Sequence, residues 1–119
     1  MKKILAADDD PVTTELYKHI FEKAGYEIKI IGDASGAIIC CEEFKPDLLI
    51  LDWEMPAGGG SRVFEKICGL LGKRLPVIFI TGFPEKVKVE RTGNKVVILE
   101  KPPGVKAMLN EVAKLLKAD

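Results

Sequence analysis

Residues 48–61 read LLILDWEMPAGGGS. Four apolar residues in succession, without alternation, fit a strand buried on both faces of a parallel sheet, and Asp52 stands where that strand leaves the core. A proline and three glycines then turn the chain towards Ser61, which reads as the cap of a helix. Four further runs resemble this one: KILAA (3–7), YEIKII (26–31), PVIFI (76–80) and KVVIL (95–99), with DLLIL (47–51) as the central member. Four of the five are continuous, as doubly covered strands should be, while YEIKII alternates at its start and reads as an edge strand.

Segments of helical spacing lie between these runs. Asp10 is placed to cap, and Pro11 to open, a helix whose apolar residues Val12, Leu16, Ile20, Phe21 and Ala24 share a face before Gly25. Ala37, Ile38, Cys41 and Phe44 mark a second helix, closed before Pro46. Val63, Phe64, Ile67 and Leu71 mark a third, and Val105, Leu109, Val112 and Leu116 a last one, with Met108 and Leu115 beside its stripe as a possible docking or homodimer surface. The segment GFPEKVKVERTGN (82–94) fits a helix badly, because Val87 and Val89 alternate with charges, and a short or irregular helix is expected there. Strand and helix alternating five times, with right-handed crossovers, imply an α/β fold with an open, doubly wound parallel sheet and helices on both faces.

Composition narrows the function classes. A chain of 119 residues, 47% hydrophobic and 30% charged, has room for one globular domain, taken as residues 1–119. Eighteen basic and eighteen acidic residues cancel, so no electrostatic footprint for direct nucleic-acid or anionic-membrane binding is visible. The apolar stretch after MKK is too short for a signal peptide, no run approaches a membrane span, and a cytoplasmic location is expected. Cys40, Cys41 and Cys68 are odd in number and lack zinc spacing, so free thiols are expected. His19, the lone histidine, sits beside Leu16 and Ile20 with no helical-bundle phosphohistidine context and reads as a surface or boundary residue.

In an open parallel sheet the ligand crevice lies beyond the carboxyl ends of the strands. Read off the sequence, those ends deliver Asp8, Asp9 and Asp10 after the first strand, Asp52 after the third, Thr81 and Gly82 after the fourth, and Glu100 and Lys101 after the fifth. Carboxylates this close repel one another unless a cation neutralises them, and Mg²⁺ suits a site with few carboxylates and several waters. Asp8, Asp9 and Asp52 with one divalent ion and Lys101 sum to zero charge, a pocket suited to a phosphoryl group with Asp52 as nucleophile and Thr81 as hydroxyl partner. Each residue alone has a plainer reading as a cap or turn. Convergence of four strands on one edge favours the site.

These residues resemble the receiver domain of bacterial two-component response regulators along nearly the whole chain, through KILAADDDP, DLLILDWEMPAGGG, PVIFITG and ILEKP. The resemblance implies a flavodoxin-like sheet of order 2-1-3-4-5 and an Asp52 that takes a phosphoryl group from a histidine kinase or phosphotransfer protein. It implies Mg²⁺ held by Asp9, Asp52 and the backbone carbonyl of Glu54, with Asp8 assisting. Thr81 and Lys101 would bind the phosphoryl group, Pro102 would occupy a cis-proline position, and Gly82 would leave the pocket open to the donor. Such a domain catalyses only its own phosphorylation and dephosphorylation, and signals by contact with a downstream protein target or output domain. Glu54 and Phe83, two residues after Asp52 and Thr81, are expected to tune the lifetime of the acyl phosphate. Departures are Ile98 at a position often aromatic in the family, a short 81–101 segment, and KPP after Glu100, all bearing on the output face.

DDDPV also fits the D-x-D-x-[TV] motif of haloacid dehalogenase-like phosphatases, with Asp8 as nucleophile and Asp10 as acid/base. The absence of an acidic pair after Lys101, the short chain and the unexplained Asp52 count against that reading. A docking module that never carries a phosphoryl group would not need Asp9, Asp52, Thr81 and Lys101 together. GGG lacks the G-K-[ST] continuation of a nucleotide loop.

Overall fold

A computed structural model describes residues 1–89 and 94–117. The strands are β1 (Lys3–Ala7), β2 (Glu27–Ile31), β3 (Leu48–Asp52), β4 (Val77–Thr81) and β5 (Val96–Glu100), all parallel in the order β2-β1-β3-β4-β5. The helices are α1 (Pro11–Lys23), α2 (Ala34–Phe44), α3 (Gly59–Phe64) and α4 (Val105–Leu115). The five expected strands and the doubly wound α/β class are all present. The last three strands extend one residue further than their apolar runs, so Asp52, Thr81 and Glu100 are the final strand residues and not the first loop residues.

The period-two alternation of the strands builds two cores, one on each side of the sheet. Leu5, Ala7, Leu49, Leu51, Val77 and Phe79 pack under α2 and α3 with Ala37, Cys41, Val63 and Ile67. Ile4, Ala6, Leu48, Ile50, Ile78 and Ile80 pack under α1 and α4 with Tyr17, Phe21, Met108 and Val112. Strands β1, β3 and β4 are buried almost end to end, which explains their unbroken apolar sequence.

Several faces differ from expectation. In α1, Asp10 caps by accepting from the Val12 N–H and Pro11 opens the first turn as read, but the buried residues are Tyr17, Ile20 and Phe21. Val12 and Leu16 are 78% and 50% exposed, because the helix is rolled so that the large Tyr17 ring takes the inward position. Ala24 is likewise exposed. In α4, Met108 belongs to the core while Val105 is exposed, so Met108 cannot serve as a docking surface. Ser61 does not cap α3, which starts two residues earlier behind Gly58 and runs on through a π-helical stretch, Glu65–Leu70, leaving Leu71 half exposed.

β5 is the second edge of the sheet and only half buried, unlike the doubly covered strand its sequence suggested. Between β4 and β5 the described residues hold no α-helix. One 3₁₀ turn, Pro84–Lys86, is followed by extended chain in which Val87 and Val89 lie on the α2/α3-side core and Lys88 faces out. The valine alternation that spoiled the helix reading is thus a strand-like cover. Residues 90–93 of that segment lie outside the described residues. Asn94 anchors its far end, its amide donating to the carbonyls of Lys73 (3.1 Å) and Leu75 (2.9 Å).

Candidate functional site at the carboxyl edge of the sheet

The register of β1, β3 and β4 sets their carboxyl ends side by side: Ala7 pairs with Leu51, and Asp52 with Ile80. One ligand oxygen from each of Asp8, Asp9 and Asp52 therefore lies within 4.8 Å of the others, with Asp8 and Asp52 buried and Asp9 exposed. The Lys101 Nζ reaches in from the end of β5, 3.1 Å from Asp52 Oδ1 and 3.6 Å from Asp8 Oδ2. The Lys101–Pro102 peptide is cis, as the family resemblance implied.

Backbone groups fix the carboxylates. The Asp10 N–H donates to Asp8 Oδ1 (2.9 Å) and the Glu54 N–H donates to Asp52 Oδ1 (3.2 Å). Asp8 Oδ2 is buried with no hydrogen-bond partner among the described residues, facing only the Lys101 charge. A buried, unpartnered carboxylate oxygen is costly without a cation. With three carboxylates converging, the donor set fits a hard divalent ion with oxygen ligands.

Electrostatics distinguish the two members of the ion pair. Burial pushes the Asp52 carboxyl up to about 6, the Asp8 charge adds to this, and the hydrogen bond and charge of Lys101 oppose it. Burial works against the Lys101 ammonium, but its hydrogen bond to Asp52 and the charges of Asp52, Asp8 and Glu54 outweigh that and hold its pKa above the ordinary lysine value. Tyr17 lies near the same carboxylates. Burial first, then the charges of Asp8, Asp52 and Asp10, push its phenol up, and its hydroxyl has no partner among the described residues.

Thr81 is fully buried, its hydroxyl accepting from the Phe83 N–H at 3.0 Å. That hydroxyl donates to the Glu54 carboxylate, 2.8 and 3.0 Å from its two oxygens. The sequence reading placed Glu54 at the site for its backbone carbonyl and did not foresee this side-chain contact. The chain bends at Trp53 and Glu54 immediately after β3, and no local sequence pattern announces the contact. Gly82 leaves open space where a side chain would begin, and Phe83 is half exposed with the Lys86 ammonium 4.5 Å over its ring.

The remaining candidates resolve simply. Asp10 is a cap, its carboxyl held below the usual range by the Thr13 hydroxyl (2.7 Å) and the Val12 N–H (3.1 Å). Cys40, Cys41 and Cys68 are free, with burial raising the thiol of Cys41 and pushing that of Cys68 up to about 11. No described helix is long and apolar enough to cross a membrane.

Comparison with known proteins agrees with this fold. The family model described as response regulator receiver domain matches residues 4–113. The DNA-binding response regulator MtrA of Mycolicibacterium smegmatis is 31% identical over 88 residues, 74% of this chain but 38% of that protein. The transcriptional regulatory protein PdtaR of Mycobacterium tuberculosis is 32% identical over 92 residues, 76% of this chain and 43% of that one. The chain thus matches less than half the length of these relatives. Among solved structures, the receiver domain of the hybrid histidine kinase CckA superposes with a TM-score of 0.82 at 32% identity, covering 97% of this chain and 99% of that one. Chemotaxis response regulator CheY4 of Vibrio cholerae shares the fold, with a TM-score of 0.86 at 24% identity over 98% of this chain and 99% of that one.

Proposed function

The chain belongs to the response regulator receiver domain family, and from that membership we propose that Asp52 is its phosphoacceptor, with residues 1–119 acting as one receiver unit. Receiver domains of two-component systems work between a histidine kinase and an output target. They are signalling domains and not conventional enzymes. The observation that carries the assignment is the setting of Asp52: a buried carboxylate at the end of the central strand, 3.1 Å from Lys101 and clustered with Asp8 and Asp9.

In the proposed reaction an Asp52 oxygen attacks the phosphorus of a phosphohistidine on a partner kinase or phosphotransfer protein. The P–N bond breaks, its electron pair leaves on the imidazole nitrogen, and an acyl phosphate forms on Asp52. Asp8, Asp9, Asp52 and the Glu54 carbonyl would hold Mg²⁺, which would supply charge neutralisation and polarise the phosphoryl oxygens. Lys101, released from its pairing with the free carboxylate, follows the new dianion. Thr81 supplies the one hydroxyl donor at this edge of β4. The charge added on Asp52 and the movement of these two donors form the local event that a neighbouring surface transmits.

The exposed Val12 and Leu16 of α1 form a surface with Pro11, Glu15 and His19, on which we place contact with the kinase or phosphotransfer partner. We assign the chain to the cytoplasm, with output through protein contact and not direct nucleic-acid binding, in keeping with its zero formal charge. Intact mass after incubation with Mg²⁺ and a small acyl phosphate tests the assignment. One phosphoryl adduct on the wild type and none on Asp52→Asn is expected, while an adduct that survives Asp52→Asn refutes it.

A further inference from the structure

A threonine hydroxyl has one proton to give. That of Thr81 is already committed, lying 2.8 and 3.0 Å from the two oxygens of the Glu54 carboxylate, while the hydroxyl's acceptor side receives the Phe83 N–H. The Glu54 main chain is tied to Asp52 by its own N–H, so one residue contacts the acceptor carboxylate and the switch hydroxyl at once. A phosphoryl group on Asp52 needs the same hydroxyl proton, and it brings a second negative charge beside the Glu54 carboxylate. Glu54 is exposed, so its side chain has somewhere to go.

We propose that the Glu54 carboxylate is an internal stand-in for the phosphoryl group: it holds the Thr81 hydroxyl in the unphosphorylated chain and must give it up when Asp52 is phosphorylated. Glu54 is in this sense a positioning residue that acts through Thr81, and it makes the site harder to load. The proposal depends on the phosphoacceptor assignment of Asp52. It predicts that the cost of Glu54 falls on donor binding, because hydroxyl and charge must both rearrange before an anionic donor is seated, and less on the transfer step that follows.

The test is the rate of Asp52 phosphorylation against acyl phosphate concentration, with saturating Mg²⁺, for the wild type, Glu54→Ala, Glu54→Gln, Thr81→Val and the Glu54→Ala/Thr81→Val double variant. Valine keeps the branched shape of the buried threonine and puts a methyl in place of the hydroxyl, which also leaves the Phe83 N–H without that acceptor. Glu54→Ala should lower the KM for the donor on the order of 3–10-fold with kcat changing less, and should lose most of that gain in the Thr81→Val background. Glu54→Gln, which keeps an acceptor for Thr81 without the charge, should fall between. An unchanged KM in Glu54→Ala overturns the proposal, and so does an equal gain with and without the Thr81 hydroxyl, which would make Glu54 a simple repulsive charge. Absence of any adduct on the wild type overturns the phosphoacceptor assignment and this inference together, whereas adducts with unaltered kinetics overturn the inference alone.

Discussion

Asp52 ends the central strand of the sheet, buried along its whole length, and burial raises its carboxyl to about 6 from an ordinary aspartate value of 3.8. The sign of the resulting pH dependence follows directly. Below pH 4 the group is protonated in the folded and unfolded chain alike. Between about pH 4 and 6 the unfolded chain loses the proton first, so this group makes stability fall as pH rises, and above 6 the penalty is complete. Asp52→Asn removes the charge and keeps the shape. In urea titrations without divalent cation, the variant should gain on the wild type as pH rises from 4.5 to 7.5, reaching on the order of 1–3 kcal/mol. Mg²⁺ should shrink the difference by stabilising only the wild-type carboxylate cluster.

At the scale of elements, the glycines after Pro56 have a packing role that their sequence does not announce. A Cβ on Gly60 would stand 2.6 Å from the Asp52 carbonyl oxygen, and one on Gly59 would collide with the Trp53 carbonyl oxygen. The first turn of α3 thus rests directly on the backbone that carries Asp52, with the Gly60 N–H donating to the Trp53 carbonyl at 3.2 Å. Gly60→Ala should cost about 1–3 kcal/mol in denaturant midpoint and slow the labelling of Asp52, because the displaced backbone is its own. Reading GGG as loop geometry was half right. It turns the chain as expected, but Gly59 and Gly60 are helical and tight against β3, a contact between segments that no local pattern encodes. The carboxylate-lined edge was legible for the opposite reason: strand ends can be counted from apolar runs, and Asp8, Asp9, Asp52, Thr81 and Lys101 each fall at one. Which face of α1 turns inward was not legible, since Val12 and Leu16 carry the same period as Tyr17 and Phe21 and only the space under the sheet decides between them.

For the molecule as a whole, extended chain at Val87–Val89 stands where a covering helix was expected among the described residues between β4 and β5. Val87 and Val89 shield the α2/α3-side core near β5, and two hydrogen bonds donated by the side-chain amide of buried Asn94 fasten the end of the segment to the loop before β4. Asn94→Ala leaves two carbonyl acceptors without that donor and should cost about 1–2 kcal/mol. Hydrogen exchange should quicken first in β5, with β1 and β3 unaffected, and uniform quickening would show that the segment is not a separate cover.

The exposed edge of β5 carries a consequence for solubility. Val96-Val97-Ile98-Leu99 is an uncharged, β-rich run in a strand that among the described residues pairs with β4 alone, the kind of edge that templates intermolecular pairing. Charges bracket it: Lys95 before, Glu100 and Lys101 after. If these charges guard the edge, two duties of Lys101 can be separated, its charge at the end of β5 and its pairing with Asp52. Lys101→Ala should aggregate faster than Lys101→Arg in light scattering at equal folded fraction, even if both fail to hold a phosphoryl group.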